Sequence, residues 1–210
     1  MKVLEKGRGV ERGKLLARSF PLSRGLFFSS PLQFALFSCI METERMKGGA
    51  FLMKHVEIYT DGACRGNPGR GGWGAVLVYR GIEREMSGGE AMTTNNRMEL
   101  TAAIEALAAL KEPCRVTLTS DSKYLVDAIT QGWAKSWQAK GWRKADKSPA
   151  LNPDLWEKLL KLLDTHEVEL VWVKGHDGHP YNERCDRLAT AFADSFPEPE
   201  GETVLPDQNV

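Results

Sequence analysis

The sequence predicts an α/β fold: a five-stranded mixed sheet whose first three strands run antiparallel, with helices packed against it. Two observations carry this expectation. Apolar residues alternate with polar ones in short β-prone runs, and other segments repeat them at the three-to-four spacing of a buried helix face. The order of these segments, three strands first and then helices interleaved with two more strands, calls for one sheet covered by helices.

Residues 55–60 (HVEIYT) open the domain, with Val56, Ile58 and Thr60 set against Glu57 and Tyr59 in the alternation of a half-buried strand. Next, GNPG punctuation leads into WGAVLVYR and then IEREMSGGEAM, the second and third strands of an antiparallel start. Residues 94–110 form a helix with Leu100, Ala103, Leu107 and Leu110 on one face and Thr94 as its N-cap. A short apolar strand, RVTLTS, ends at Asp121, and a helix spans 123–130. The stretch QGWAKSWQAKGWRKADKSP is rich in Trp and in Lys or Arg. Asn152-Pro153-Asp154 then opens a helix, supplying an N-cap, a proline at the first helical position and an acid at the positive end of the dipole. Leu155, Leu159, Leu162 and Leu163 give it a buried side. VELVWV at 168–173 is the last strand and 181–194 the last helix.

At 210 residues, with 42% hydrophobic and 27% charged residues, the chain suits one globular domain with appendages. Its formal charge of zero gives no global sign of a nucleic-acid binder. Residues 1–54 differ in character from the rest of the chain: Lys2, Lys6, Arg8, Arg12, Lys14, Arg18 and Arg24 face only Glu5 and Glu11 in the first forty, ahead of the apolar patch LFFSSPLQFALFSCI. Three readings compete. One is an upstream extension from a mistaken start, with Met41, Met46 or Met53 the true initiator. Another is an organellar transit peptide, and the third a secretory signal, which a long basic region and an interrupted apolar core disfavour. In each the segment stands outside the catalytic fold, which occupies 55–196; the Pro- and acid-rich tail at 197–210 is expected to be disordered. The cysteines Cys39, Cys64, Cys114 and Cys185 lack CxxC spacing and read as free intracellular thiols. No run approaches the roughly 18 apolar residues of a membrane span, so no membrane association is expected.

Four acids stand out: Asp61, Glu99, Asp121 and Asp186, in TDGACRGNPGRGGWG, TTNNRMEL, TSDSKYL and WVKGHDGHPYNERCDRLA. Each alone has an ordinary explanation. Asp61 suits a turn, Glu99 a capping box with Asn96, Asp121 an N-cap and Asp186 a solvated helix face. Jointly, carboxylates drawn from distant sequence with no Cys/His ligand set around them suit a hard cation such as Mg²⁺, and hence metal-assisted phosphodiester chemistry. The match of Gly69-Arg70-Gly71-Gly72-Trp73-Gly74 to GxGxxG is rejected as a dinucleotide site, because it opens the strand-like AVLVYR where that fingerprint opens a helix.

From about Val56 to Ala193 these motifs resemble the bacterial type 1 ribonuclease H family: TTNNRMEL, the GNPG turn and VKGH succeeded by GHP and NERCD. Cys64, Cys114 and Cys185 also fall where family members carry cysteines. The resemblance implies a ribonuclease H-like α/β fold with helices on both faces of the sheet. It implies an endonuclease that cuts the RNA strand of RNA–DNA hybrids to 5′-phosphate and 3′-hydroxyl ends, acting as a monomer in the cytoplasm, or in an organelle if residues 1–54 are a transit segment. R-loops and replication primers are its implied targets. Asp61, Glu99, Asp121 and Asp186 correspond to the family's carboxylates for two Mg²⁺ ions, with Mn²⁺ as an alternative; one ion activates a water and the other stabilises the leaving oxygen. Asp61, taken to end the central strand, is best placed to bridge both. Unrelieved repulsion among the acids should raise their pKa values.

By the same resemblance His176 matches a mobile catalytic histidine that assists proton transfer and product release. His179 reads as a helix-entry residue, and a zinc site from the two lacks further ligands. Asn67, Thr94, Asn95 and Asn96 match positions along the hybrid's minor groove, where short polar groups sense 2′-hydroxyls; Asn182 joins this substrate-binding set. Residues 133–147 resemble the family's basic handle. Trp133, Trp137 and Trp142 interleave there with Lys135, Lys140, Arg143, Lys144 and Lys147 to meet phosphates while the aromatics anchor the loop.

Gln138-Ala139 departs from strongly basic handles, which implies weaker and less salt-sensitive binding. Lys123 replaces a common glutamine, offering a phosphate contact or lowering carboxylate pKa values. Two other classes stay open: a catalytically silent hybrid-binding module, and a DNA-directed nuclease of the same superfamily, such as an integrase or resolvase.

Overall fold

The computed structural model describes residues 53–198 together with the two-residue strand Phe27–Phe28; the rest of the expected extension and tail lies outside the described residues. In chain order the elements are β1 (Phe27–Phe28), β2 (Lys54–Gly66), β3 (Gly69–Tyr79), β4 (Ile82–Thr93), α1 (Asn95–Ala108), β5 (Cys114–Ser120), α2 (Lys123–Thr130), α3 (Trp133–Ala139), α4 (Pro153–Thr165), β6 (Glu167–Trp172) and α5 (Pro180–Asp194). Across the sheet they run β1-β4-β3-β2-β5-β6. The strands β2, β3 and β4 pair antiparallel, while β5 lies parallel to both β2 and β6.

The expected five strands are therefore present with the expected senses. A sixth, β1, pairs antiparallel with Met86 and Ser87 on the outer edge of β4. The sequence places the whole extension outside the fold, whereas this pair joins part of it to the sheet. At the other end Arg70 donates to the carbonyl of Phe196, the last residue of the expected domain, at 2.8 Å and pairs with Glu198 of the expected tail at 3.1 Å.

The sequence ends the first strand at Thr60, and the structure continues it to Gly66. The reason lies in its two neighbours. The parallel ladder with β5 stops at Thr60↔Ser120, but β3 pairs on from Glu57↔Val78 to Gly66↔Gly69. Asp61 is thus the first residue beyond the parallel ladder, inside a strand and not at its end. The GxGxxG-like run lies in β3, as its β-prone continuation requires.

Glycines let helices lie directly on this sheet. A side chain at Gly72 or Gly74 would strike the backbone of α5, and one at Gly71 would strike Thr93 and Met98 on the opposite face. Because strand side chains alternate faces, this parity places α5 and α1 on opposite sides of β3. The helix α4 packs beside α1, and its Trp156 is wholly buried. The Trp156 indole donates to the Tyr124 hydroxyl at 2.9 Å, and its ring meets those of Tyr124 and Trp137 edge-on. Among the described residues no helix is long and apolar enough to cross a membrane.

Candidate active site

Four separate segments deliver the four acids to one place. Asp61 comes from β2, Glu99 from the second turn of α1, Asp121 from the residue after β5 and Asp186 from the middle of α5. All four line a single open cleft of about 580 Å³, with His176 at its rim. Gly62 is essential to this meeting. A Cβ there would collide with the backbone at Glu99, so only glycine lets β2 pass close enough to set Asp61 beside the start of α1.

Asp61 is buried, and its carboxylate accepts the Gly62 N–H at 2.7 Å. Glu99 accepts from the Asn95 amide at 2.8 Å and from the Ser122 hydroxyl. It therefore has no part in a capping box with Asn96. Ser122, not Asp121, caps α2 by accepting from the Leu125 N–H at 3.2 Å. Asp121 accepts from the Asn182 amide at 3.2 Å, while its main-chain carbonyl receives the Trp172 indole N–H at 3.0 Å. Asp186 accepts from the Thr190 hydroxyl at 3.4 Å.

The electrostatics of the cleft are those of crowded, partly dehydrated anions. Burial first, and then the charge of Asp121 with smaller effects of Asp186 and Glu99, pushes the Asp61 carboxyl up to about 8 against the pull of the Gly62 N–H. Burial, with the charge of Asp121, lifts Glu99 to about 7 although Ser122 and Asn95 hold its ionised form. The Lys123 ammonium sits 4.9 Å from the centre of the Trp172 ring.

Other expected site residues divide by location. Asn95 lines the cleft, and Asn67 in the β2–β3 turn accepts the Asn95 N–H on its side-chain oxygen at 3.4 Å. Thr94 and Asn96 flank Asn95 half-exposed; Thr94 is the N-cap of α1 by backbone geometry, without a side-chain cap bond. Asn182 is only 2% exposed and faces Asp121, so it holds a carboxylate and presents no surface to a ligand. His179 caps α5, accepting from the Asn182 N–H.

The handle stands apart from the cleft. Trp133 is 47% exposed, Trp137 packs on Trp156, and Trp142 is half-buried with a left-handed backbone. Lys140 and Arg143 are exposed and Lys144 half-exposed; the Arg143 guanidinium holds the Lys147 carbonyl at 3.1 Å. Sequence alone misses Ser122, Arg65, Thr190 and Trp172. A serine at the start of a helix directly after Asp121 is the available signal for the first; the others depend on tertiary neighbours.

A family model described as RNase H matches residues 53–194. The chain belongs to the ribonuclease H family. A ribonuclease H of Novosphingobium aromaticivorans is 64% identical over 141 residues, covering 67% of this chain and 98% of that protein. The crystal structure of LC9-RNase H1, a type 1 RNase H with the type 2 active-site motif, superposes with a TM-score of 0.63 at 36% identity, covering 70% of this chain and 75% of that one. LC11-RNase H1, solved in complex with an RNA/DNA hybrid, superposes with a TM-score of 0.52 at 27% identity, over 66% and 96% of the two chains. The donor set of the cleft is four carboxylates, oxygen ligands of the type hard divalent cations take. Among the described residues no three acidic, His or Cys side chains close into a ready coordination group.

Proposed function

We propose that this chain hydrolyses the RNA strand of RNA–DNA hybrids to 5′-phosphate and 3′-hydroxyl ends, with Asp61, Glu99, Asp121 and Asp186 holding two Mg²⁺ ions. The observation that carries this reading is the gathering of those acids, from four segments, in one cleft beside His176. When bound there, the ions supply activation of a water and stabilisation of the leaving 3′-oxygen, and Mn²⁺ can replace Mg²⁺ in both roles.

Each residue has a task. Asp61 is buried and feels the charges of the other three acids, so a bound cation would relieve its repulsion and it would serve as one of the ligands. Ser122 and Asn95 fix the Glu99 carboxylate, and Asn182 fixes that of Asp121. His176 sits on a loop flanked by Gly175 and Gly178 with a φ of 53°, at the rim where it can exchange a proton with a departing product. Asn95, which lines the cleft, and its neighbours Asn67, Thr94 and Asn96 offer short amide and hydroxyl groups, chemistry that distinguishes 2′-hydroxyls from their absence. The handle, with Lys140, Arg143, Lys144, Trp133 and Trp142, supplies phosphate contacts away from the reaction centre. Every group assigned a task comes from one chain, so a monomer suffices.

Labelled RNA–DNA hybrid, duplex DNA and duplex RNA, each incubated with the protein and Mg²⁺, test the proposal. Cleavage confined to the RNA strand of the hybrid is expected. Cleavage of duplex DNA without cleavage of the hybrid would overturn it in favour of a DNA-directed enzyme, and binding without cleavage in favour of a silent module.

A further inference from the structure

A polyanion entering an acid-lined cleft needs a cation at the mouth, and among the described residues lining that cleft Arg65 alone has permanent positive charge. It lies near the end of β2, two residues before Asn67. Its guanidinium is occupied. The Nε and one Nη donate to the two carboxylate oxygens of Asp194, at 2.7 and 2.8 Å, in a parallel fork. Asp194 is the last residue of α5, and the side chains of the pair are 46% and 48% exposed.

That geometry has a second meaning for a nucleic-acid enzyme. A guanidinium fork fits phosphate as well as it fits carboxylate. The pair is half-open to water and screened by salt, so an incoming phosphate, which offers the same fork more negative charge, can compete with Asp194 for the guanidinium. We propose that Arg65 is a phosphate-binding residue for the strand entering the cleft, and that Asp194 competes for it and so weakens substrate binding. The inference rests on the hybrid-cleaving function proposed above and adds to it a contact outside the handle and the group of Asn67, Thr94, Asn95 and Asn96.

The test uses the full chain and its Arg65→Gln, Arg65→Lys and Asp194→Asn variants. Binding of labelled hybrid is measured in EDTA across a salt series, and KM and kcat are measured in Mg²⁺. Arg65→Gln should raise KM by about 3- to 10-fold with kcat nearly unchanged, and lessen the slope of log affinity against log salt by about one. Arg65→Lys should keep the slope, because a point charge still meets the phosphate. Asp194→Asn should lower KM, the opposite direction, since it frees the guanidinium. If Arg65→Gln and Asp194→Asn move KM the same way, the pair merely fastens β2 to α5 and the proposal is overturned. An unchanged salt slope in Arg65→Gln overturns it too. Failure of the unmodified protein to cleave hybrid would count against the function reading instead, and the EDTA binding series would still decide the role of Arg65.

Discussion

Replacing Asp61 by asparagine should stabilise the metal-free protein while abolishing its turnover. Asparagine keeps the shape of the side chain and an oxygen for the Gly62 N–H, and removes the charge. In the native protein the Asp61 carboxyl is pushed from 3.8 to about 8. A carboxyl raised on folding contributes stability that is fully present below its unfolded value and is lost as pH climbs through the native one. For Asp61 the window is about pH 4 to 8. Linkage places the loss at roughly 4 kcal/mol by pH 7 as an upper figure. Water entering the open cleft and side chains swinging apart relax part of it, so a gain of about 2–4 kcal/mol is expected for Asp61→Asn at pH 7 to 8. Glu99, raised to about 7, adds to the same slope in the unmodified protein.

Urea denaturation in EDTA at pH 5, 7 and 8 measures this. The unmodified protein should lose stability steadily across the series, and the variant should lose less, so that the gap between them widens with pH. Added Mg²⁺ should narrow the gap by stabilising the unmodified protein selectively. A variant that is less stable than its parent at pH 8, or a gap independent of pH, would refute the electrostatic account of the cleft. Turnover of hybrid by Asp61→Asn in Mg²⁺ would refute the assignment of Asp61 as a ligand.

Three further outcomes are expected. Ser122→Ala removes both the cap of α2 and a bond to Glu99, so urea titration should record a loss of about 1 kcal/mol and activity should need more Mg²⁺, with Ser122→Thr restoring both. His176→Ala should lower kcat by about 10- to 100-fold with little effect on hybrid binding in EDTA, because the side chain stands at the rim and supports no core packing. Trp156→Ala empties a wholly buried site and should cost about 3–5 kcal/mol in urea; hybrid affinity should also become weaker, because Trp137 of the handle packs on that ring.

The legible part of this molecule was the part written in local periodicity and in rigid motif spacing. The alternation in HVEIYT and the Leu100–Leu107 face depend on near neighbours in sequence, and they produced the strand and helix expected of them. The acids were legible because each sits in a motif of its own. What was not legible depended on partners far away in sequence. Strand β2 continues to Gly66 because β3 accompanies it, a fact that Arg65 and Gly66 do not announce. The amide of Asn182 resembles the half-exposed asparagines at 95 and 96 by residue type, yet the first turn of α5 buries it against Asp121. The handle tryptophans are expected to anchor their loop, but the partner of Trp137, the Trp156 side chain on a different helix, could not be read from the sequence.

A cluster that repels itself must be held by packing that does not depend on it, and the glycines of β3 are where this can be tested. A Cβ on Gly74 would meet the Cys185 carbonyl and approach the Leu188 Cβ and the Ala189 N–H. Cys185 immediately precedes Asp186, so Gly74→Ala must push outward the very turn of α5 that bears a cleft carboxylate. A Cβ on Gly72 strikes the same helix further along, at Ala189 and Ala193, away from Asp186. Overpacking of either kind costs about 1–3 kcal/mol, so the two variants should be similarly destabilised in urea. Their activities should part: Gly74→Ala should lose kcat by more than about tenfold, since small displacements of a reacting group are costly, and should require more Mg²⁺. Gly72→Ala should retain most activity at a temperature where it is folded. If both lose activity in proportion to stability, α5 moves as a rigid unit and the close approach at Gly74 has no special bearing on the position of Asp186.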